Sequence, residues 1–409
     1  MKEERIEPRG ILPVAMHHLR RMGIAAKMGG VLKDPRTTRN REWKFGYLLE
    51  VLIYGMVSGS KNLRAVETFG ELYRHRVPDS TLHDVITRID PEPLREVLVN
   101  GVKEALRAHE LPREEFPVRI TAIDGKSIGT SRMPVGTFSQ EITGDGSGQY
   151  RNFALRAFHV SNQTRLLLGQ HELPKKSGET SEFIPFIDRL LADYGKTALL
   201  EVISIDAGMV SRKNSDYLVS RGLHYIMALK VPQRRLLKQA LKLLKRAPLA
   251  AQSVESAKGE EVCIKLFRAP CRDSHWRHLK EVWGVEKTIT AKGVKSSETR
   301  YFLTNLAPSK LSAPQVLAAV RMHWRIENNA NWIFDTTWQE DDCPWATRAL
   351  VFVSHLRMIA FNIVSRLITR RLRDKAARAM SWHELLRCIE HACCKLALCS
   401  GFSSPVFEA

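Results

Sequence analysis

A chain of 409 residues, 44% hydrophobic and 26% charged, can bury a large core in two or three domains, which excludes a disordered or low-complexity protein. Its 63 lysines and arginines against 44 acids leave a net charge of +19, which points to a polyanionic partner, most simply nucleic acid. No apolar run reads as a membrane span, MKEERIEPRG lacks the apolar segment of a signal peptide, and seven cysteines suit reduced thiols, so a cytoplasmic location is expected.

Residues 1–112 are expected to be helical, because YLLEVLIYGMVSG and NLRAVETFGELYRH repeat apolar residues at three- and four-residue spacing. After Val77-Pro78-Asp79-Ser80, a capping box from Thr81 to Asp84 is expected to open another helix. Two short helices around a turn, the second opening with Ser80, Thr81 and His83, suggest a DNA-reading helix-turn-helix; a plain helical bundle fits the same pattern.

From Pro117 the texture changes. VRITAID alternates, LRAFHVS and TRLLLGQHEL follow as hairpin strands, and SEFIPFIDRLLADYG makes a helix closed by Gly195. ALLEVISIDAG is a nearly continuous apolar strand, and SDYLVSRGLHYIMALK supplies a helix and a further strand. The class is therefore α/β, a mixed sheet flanked by helices. RRLLKQALKLLKRA is a basic helix, and EVCIKLF, LKEVWGVEKTIT and ETRYFLTNL read as a small antiparallel subdomain. SAPQVLAAVRMHWRIENNANWIF is a long helix capped by Ser312, and a second long helix begins near Pro344. The cysteines of RCIEHACCKLALCS lack a C-x-x-C pair and read as small buried apolar residues rather than zinc ligands.

Two strands each deliver an aspartate from a C-terminal end, Asp124 in RITAIDGKS and Asp206 in ISIDAG. Either acid alone suits a turn. Together they would repel unless a hard divalent cation neutralised them, and Mg²⁺ held this way suits phosphodiester chemistry. A third acid is expected from a helix: Glu327 shares a face with Val320, His323, Trp324, Asn331 and Phe334, while Glu340, Asp341 and Asp342 compete from a loop. Arg321, His323 and Arg325 surround Glu327 and could meet phosphate oxygens, as could Lys126; a solvated turn lysine fits Lys126 equally well. The segments 36–44, 233–246 (with Arg234 and Arg235) and 366–378 are further electrostatic candidates for DNA, and Trp276 lies in an aromatic-in-basic cluster that could stack on a base or simply pack. Gly125 is expected to turn the chain away from Asp124.

AIDGKS, VISIDAG, HYIMALK, ETRYFLTNL, RMHWRIEN and IFDTTWQED stand in an order that resembles bacterial insertion-sequence DDE transposases, in the group including the H-repeat-associated proteins. The segments LKDPRTTRNREWKFGYLLEVLIYGMVSG and VPDSTLHDVITRID resemble that group's N-terminal module. The resemblance implies an RNase H-like catalytic core with a β-rich insert and a helical N-terminal module. It implies a triad of Asp124, Asp206 and Glu327 on two Mg²⁺ ions, with Mn²⁺ as a substitute. The activity implied is DNA cleavage at element ends and strand transfer into target DNA by a homodimer in the bacterial cytoplasm, at the nucleoid. The divisions it suggests are 1–112, 113–232, 233–308, 309–372 and a helical tail 373–409. The chain departs from the broader pattern at Val320, His323 and Phe334, and from the subgroup in KKSGE (175–179), KVPQ (230–233) and ANW (330–332); the three acids are intact. A catalytically silent DNA-binding regulator and an RNase H-like nuclease or resolvase remain alternatives, and a basic membrane-surface protein is a third.

Overall fold

Among the described residues, six helices precede the first strand: α1 (Ile11–Met22), α2 (Ile24–Val31), α3 (Phe45–Val57), α4 (Leu63–Tyr73), α5 (Asp79–Ile86) and α6 (Leu94–Arg107). The computed structural model describes residues 11–37, 41–111, 116–134, 139–142, 148–160, 165–173, 178–257, 260–291, 294–342 and 345–399. The side chains of Trp324, Arg325, Glu327 and Cys399 lie outside the description. So do the N-terminal decapeptide, the centre of the 36–44 basic segment, the start of KKSGE and Pro344.

The strands are β1 (Ile120–Ser131), β2 (Ser139–Glu141), β3 (Tyr150–Val160), β4 (Leu166–Glu172), β5 (Val202–Ile205) and β6 (His224–Leu229). Helix α7 (Glu179–Tyr194) links β4 to β5, and α8 (Arg212–Ser220) links β5 to β6. Strand β1 pairs with β3 antiparallel and β5 parallel, β5 pairs with β6 parallel, and β4 lies beyond β3. The order β4-β3-β1-β5-β6, with only β3 reversed, is that of an RNase H-like core.

Helix α9 (Arg234–Leu244) and strands β7 (Leu249–Ala257), β8 (Glu260–Pro270), β9 (Glu281–Ala291) and β10 (Val294–Thr304) follow. These strands pair antiparallel with one another, as the sequence reads them, and they also extend the core sheet. Tyr301–Thr304 of β10 pair with Leu229–Ile226 of β6, making one sheet of ten strands. The remaining chain forms α10 (Ala313–Arg325), a π-helical segment Ile326–Asn331, α11 (Trp332–Trp338), α12 (Leu350–Arg366), a second π segment Leu367–Arg371, α13 (Lys375–Ala379) and α14 (Trp382–Cys399).

The sheet separates two apolar clusters because alternate strand residues face opposite ways. Ile120, Ala122 and Val202 face the cluster containing α1–α5, α10, α12 and α14, whereas Ile123, Ile203 and Ile205 face α7, α8 and α9. Thr347–Arg371 has the length and hydropathy of a membrane span, yet 89% of its apolar window is buried inside the protein. Cys393 packs in the core as an apolar residue, and burial pushes its thiol up to about 12.

The Ser312 capping box and the Pro at the start of α10 form as expected. The Thr81 box does not. Asp79 already stands in the first turn of α5, with Pro78 before it, so Thr81 lies inside the helix. Gly125 makes no turn either, because β3 keeps β1 paired through Lys126 and Ser127, and the register shifts only between Ser127 and Gly129.

Candidate active site

The parallel register of β1 and β5 ends at Ile123↔Ile205, and the next residues are Asp124 and Asp206. The two acids therefore stand side by side, on strands about 4.8 Å apart. Each follows Ile120-Ala122 or Val202-Ser204 on the face covered by α10. Here β5 stops: Asp206 caps a 3₁₀ turn, Ala207–Met209, by accepting from Gly208 N at 2.9 Å. A Cβ at Gly208 would lie 3.0 Å from Glu179 Oε2 and 3.2 Å from Asp206 Oδ1, so both carboxylates flank this glycine and a side chain would crowd them. Glu179 opens α7 and closes the KKSGE motif; its motif was visible in sequence, its proximity to Asp206 was not.

Above the strands, α10 runs into the π segment that carries Glu327. A π segment is uncommon and recurs at functional sites. Its last residue, Asn331, donates from Nδ2 to Asp124 Oδ2 at 2.9 Å. Asn331 is buried, and its Oδ1 meets no donor. Sequence spacing put Asn331 on the face of Glu327 without assigning it a role.

A hard divalent cation fits this chemistry. Asp124, Asp206 and Glu179 are oxygen donors, and the Asn331 Oδ1 is a buried oxygen in want of a positive partner. Among the described residues no three metal-ligating side chains converge on one point.

The other candidates are dispersed. His323 is buried, shares a 3.0 Å hydrogen bond between its Nδ1 and Ser204 Oγ, and lies beside Asp206. Burial drives its imidazole down to about 4, opposed by Asp206 and reinforced by Arg300, so at neutral pH it offers phosphate no charge. Lys126 is neither solvated nor extended outward; it is buried and pairs with Asp335 and, at 3.4 Å, Asp341. Arg321 reaches Glu255 on β7 at 2.5 Å. Arg234 and Arg235 stand exposed at the start of α9, Arg235 near Asp273 and His275. Ser80 is exposed and Thr81 half-buried in the first turn of α5. Trp276 is 8% exposed within the second cluster and cannot present its ring to a base. Arg36 is occupied by Asp34, and Arg366 by Glu110.

A cleft of about 420 Å³ opens beside Asp206, with Lys230, Arg300, Tyr301 and His323 in its walls. Next to it α9 buries Leu236, Ala240 and Leu244 and leaves Arg234, Arg235, Lys238 and Lys242 exposed as a basic face.

The strand order, with adjacent aspartates at the end of its central parallel pair, places the chain among the RNase H-like α/β folds. The chain belongs to the transposase DDE domain family, whose model matches residues 115–363. It is 26% identical over 375 residues to YbfL of Escherichia coli strain K12, covering 82% of this chain and 88% of that one. The H repeat-associated protein YhhI of the same strain is 26% identical over 371 residues, with the same coverage. The piggyBac transposase synaptic complex with hairpin DNA, a solved structure, aligns over 93% of this chain and 78% of that chain, with a TM-score of 0.44 and 11% identity.

Proposed function

We propose that this protein is an active DDE transposase: it hydrolyses one DNA strand at the ends of its element and joins the freed end to target DNA. The observation that carries the reading is the adjacency of Asp124 and Asp206 at the end of the β1–β5 register, under the segment bearing Glu327. These three acids are the triad that would hold Mg²⁺. When bound, Mg²⁺ supplies charge neutralisation and Lewis-acid polarisation of the reacting phosphate.

The chain's own groups do the rest. Asn331 fixes the rotamer of Asp124 through the 2.9 Å bond, and Gly208 leaves room for a backbone to approach Asp206. Neutral His323 buttresses β5 through Ser204 beneath the cleft. In the first step water adds to phosphorus and the P–O3′ bond breaks, leaving a 3′-OH and a 5′-phosphate. In the second the 3′-OH attacks a target phosphorus and loses its proton, the new O3′–P bond replaces the target's own P–O3′ bond, and the displaced target oxygen leaves as a free 3′-OH. Residues 1–112 serve as a DNA-binding module, with Ser80 and Thr81 at its contact surface, and two copies bind paired ends.

The test is incubation of purified protein with labelled DNA carrying the repeats that flank its gene, in Mg²⁺ or Mn²⁺. Nicks with a 3′-OH at the repeat boundary are expected. Tight binding with no cleavage in either metal would establish the silent regulator instead, and preference for branched DNA the resolvase.

Lys230 and Arg300 give a second expectation. Each faces the cleft beside Asp206, Lys230 exposed and Arg300 in an exposed 2.7 Å ion pair with Glu298 that a phosphate would have to displace, and each is assigned one phosphate contact. The variants Lys230→Ala and Arg300→Ala should each weaken repeat and random DNA alike and lower the slope of log affinity against log salt by about 1. Titrations at four salt concentrations decide this; an unchanged slope would remove the residue from the DNA path.

A further inference from the structure

Lys126 sits two residues beyond Asp124 on the same face of β1, and Asp335 sits four residues beyond Asn331. The Asn331–Asp124 bond and the Lys126–Asp335 ion pair therefore make two successive rungs between strand and helix. The spacing is matched: two strand residues advance about 6.7 Å, and four helical residues about 6.0 Å. A one-residue slip of the helix would misalign both rungs at once. Lys126 is 8% exposed and Asp335 33%, so the lysine end of the pair is shielded from water and the carboxylate end is partly hydrated. A third contact continues the series, Thr130 Oγ1 donating to Asp342 O at 3.2 Å.

We propose that Lys126 and Asp335 are a positioning pair that sets the π segment, and with it Glu327 and Asn331, at the height of Asp124. The proposal rests on the triad reading above. Lys126 then acts on the metal site through Asp335 and touches no DNA. This reverses the expectation for a lysine beside a catalytic acid, which would ordinarily be read as a phosphate ligand.

The experiment uses Lys126→Met, which keeps the buried stem and removes the charge, Asp335→Asn, their double variant, Lys126→Arg, and Asp124→Asn as a control. Mn²⁺ affinity of the full-length protein is measured by calorimetry, repeat-DNA affinity and its salt slope in Ca²⁺, and cleavage in Mg²⁺; circular dichroism selects folded variants. Both single variants are expected to lose about 10-fold in Mn²⁺ affinity and in cleavage, the low end of what removing a direct outer partner of a metal ligand costs, because the pair acts one contact further out, through Asn331. The double variant should be no worse than either single one. Lys126→Arg should recover most of the loss, and DNA affinity and salt slope should match the wild type throughout. Loss of DNA affinity and of about one unit of salt slope in Lys126→Met, with Asp335→Asn unaffected, would make Lys126 a phosphate ligand and overturn the proposal. So would wild-type Mn²⁺ affinity in both single variants while Asp124→Asn loses it. If Asp124→Asn itself retains Mn²⁺ binding, the triad reading fails, and that failure is visible separately.

Discussion

Asp206→Asn is expected to lower strand cleavage by about 10³-fold, or ~4 kcal/mol of transition-state stabilisation, while the protein stays folded and keeps its affinity for repeat DNA. The substitution is nearly isosteric, and an amide oxygen can still accept from Gly208 N, so the turn that ends β5 survives. What disappears is one of two negative charges on adjacent strands, with Glu179 close by. A pair of carboxylates in that position repels by about 1 kcal/mol or more, depending on how much water screens it. The metal-free variant should therefore melt about 1–3 °C above the metal-free wild type. In Mg²⁺ the order reverses: the wild type gains RT ln(1 + [Mg²⁺]/Kd) and the variant gains little. Melting curves in EDTA and in Mg²⁺, beside a cleavage time course, test both halves. Cleavage at the wild-type rate would remove Asp206 from the chemistry. A wild type whose melting ignores Mg²⁺ would remove the cation from this site.

The two aspartates were legible in sequence because their signal is local. An apolar run buried on both faces that ends in an acid, as in VISIDAG, brings that acid to the C-terminal end of a central strand whatever else the chain does. Adjacency of the two followed from the expected sheet. The role of Lys126 was not legible, because its partner Asp335 lies 209 residues away and nothing in RITAIDGKS encodes it. Asn331 shows the intermediate case: helical spacing gave its face, but only the packed strand shows that its amide meets Asp124.

Two misreadings have equally specific causes. Gly125 suggested a turn, yet an antiparallel neighbour on one side is enough to hold a glycine in a strand. The strands after α9 read as an antiparallel insert because their hairpins are local. The pairing that joins them to the core involves only four residues at the end of β10. Strand β7 escaped notice because LAAQSVESA carries few large apolar residues and lies at the sheet edge.

The largest stability effect is expected not at the acids but behind them, at Glu340. Arg156 lies opposite Asp124 in the β1–β3 register and is fully buried. Its guanidinium donates to both Glu340 oxygens at 2.7 Å, to Gln170 and Ser354 at 3.0 Å, and lies 4.5 Å from the Phe334 ring. Burial pushes the Glu340 carboxyl up, but Arg156, then Arg357, more than offsets this and holds it below its usual range. Removing Glu340 strands two arginines without a counter-ion, so Glu340→Leu should cost about 3–5 kcal/mol. The two arginines are unequal. Arg357 approaches Glu340 only to 3.7 Å, and its Nε and Nη1 have no hydrogen-bond acceptor, so Arg357→Met should cost far less than Arg156→Met. Replacing the whole group, Arg156→Met/Glu340→Leu/Arg357→Met, should bring stability back above that of Glu340→Leu alone, since no buried charge is then left unpaired. Because the folded carboxyl is depressed, its contribution is complete above its ordinary value of 4.5 and fades as the pH falls through the folded value. Urea unfolding of the wild type and the four variants at pH 7 and pH 4 tests the order. If Arg357→Met proved as damaging as Glu340→Leu, the ion pair would not be what anchors this turn. The turn matters to the site because Asp341, next to Glu340, is the second acid on Lys126. A loosened Glu340 should therefore slacken the strand–helix rungs and lower cleavage even in variants that remain folded.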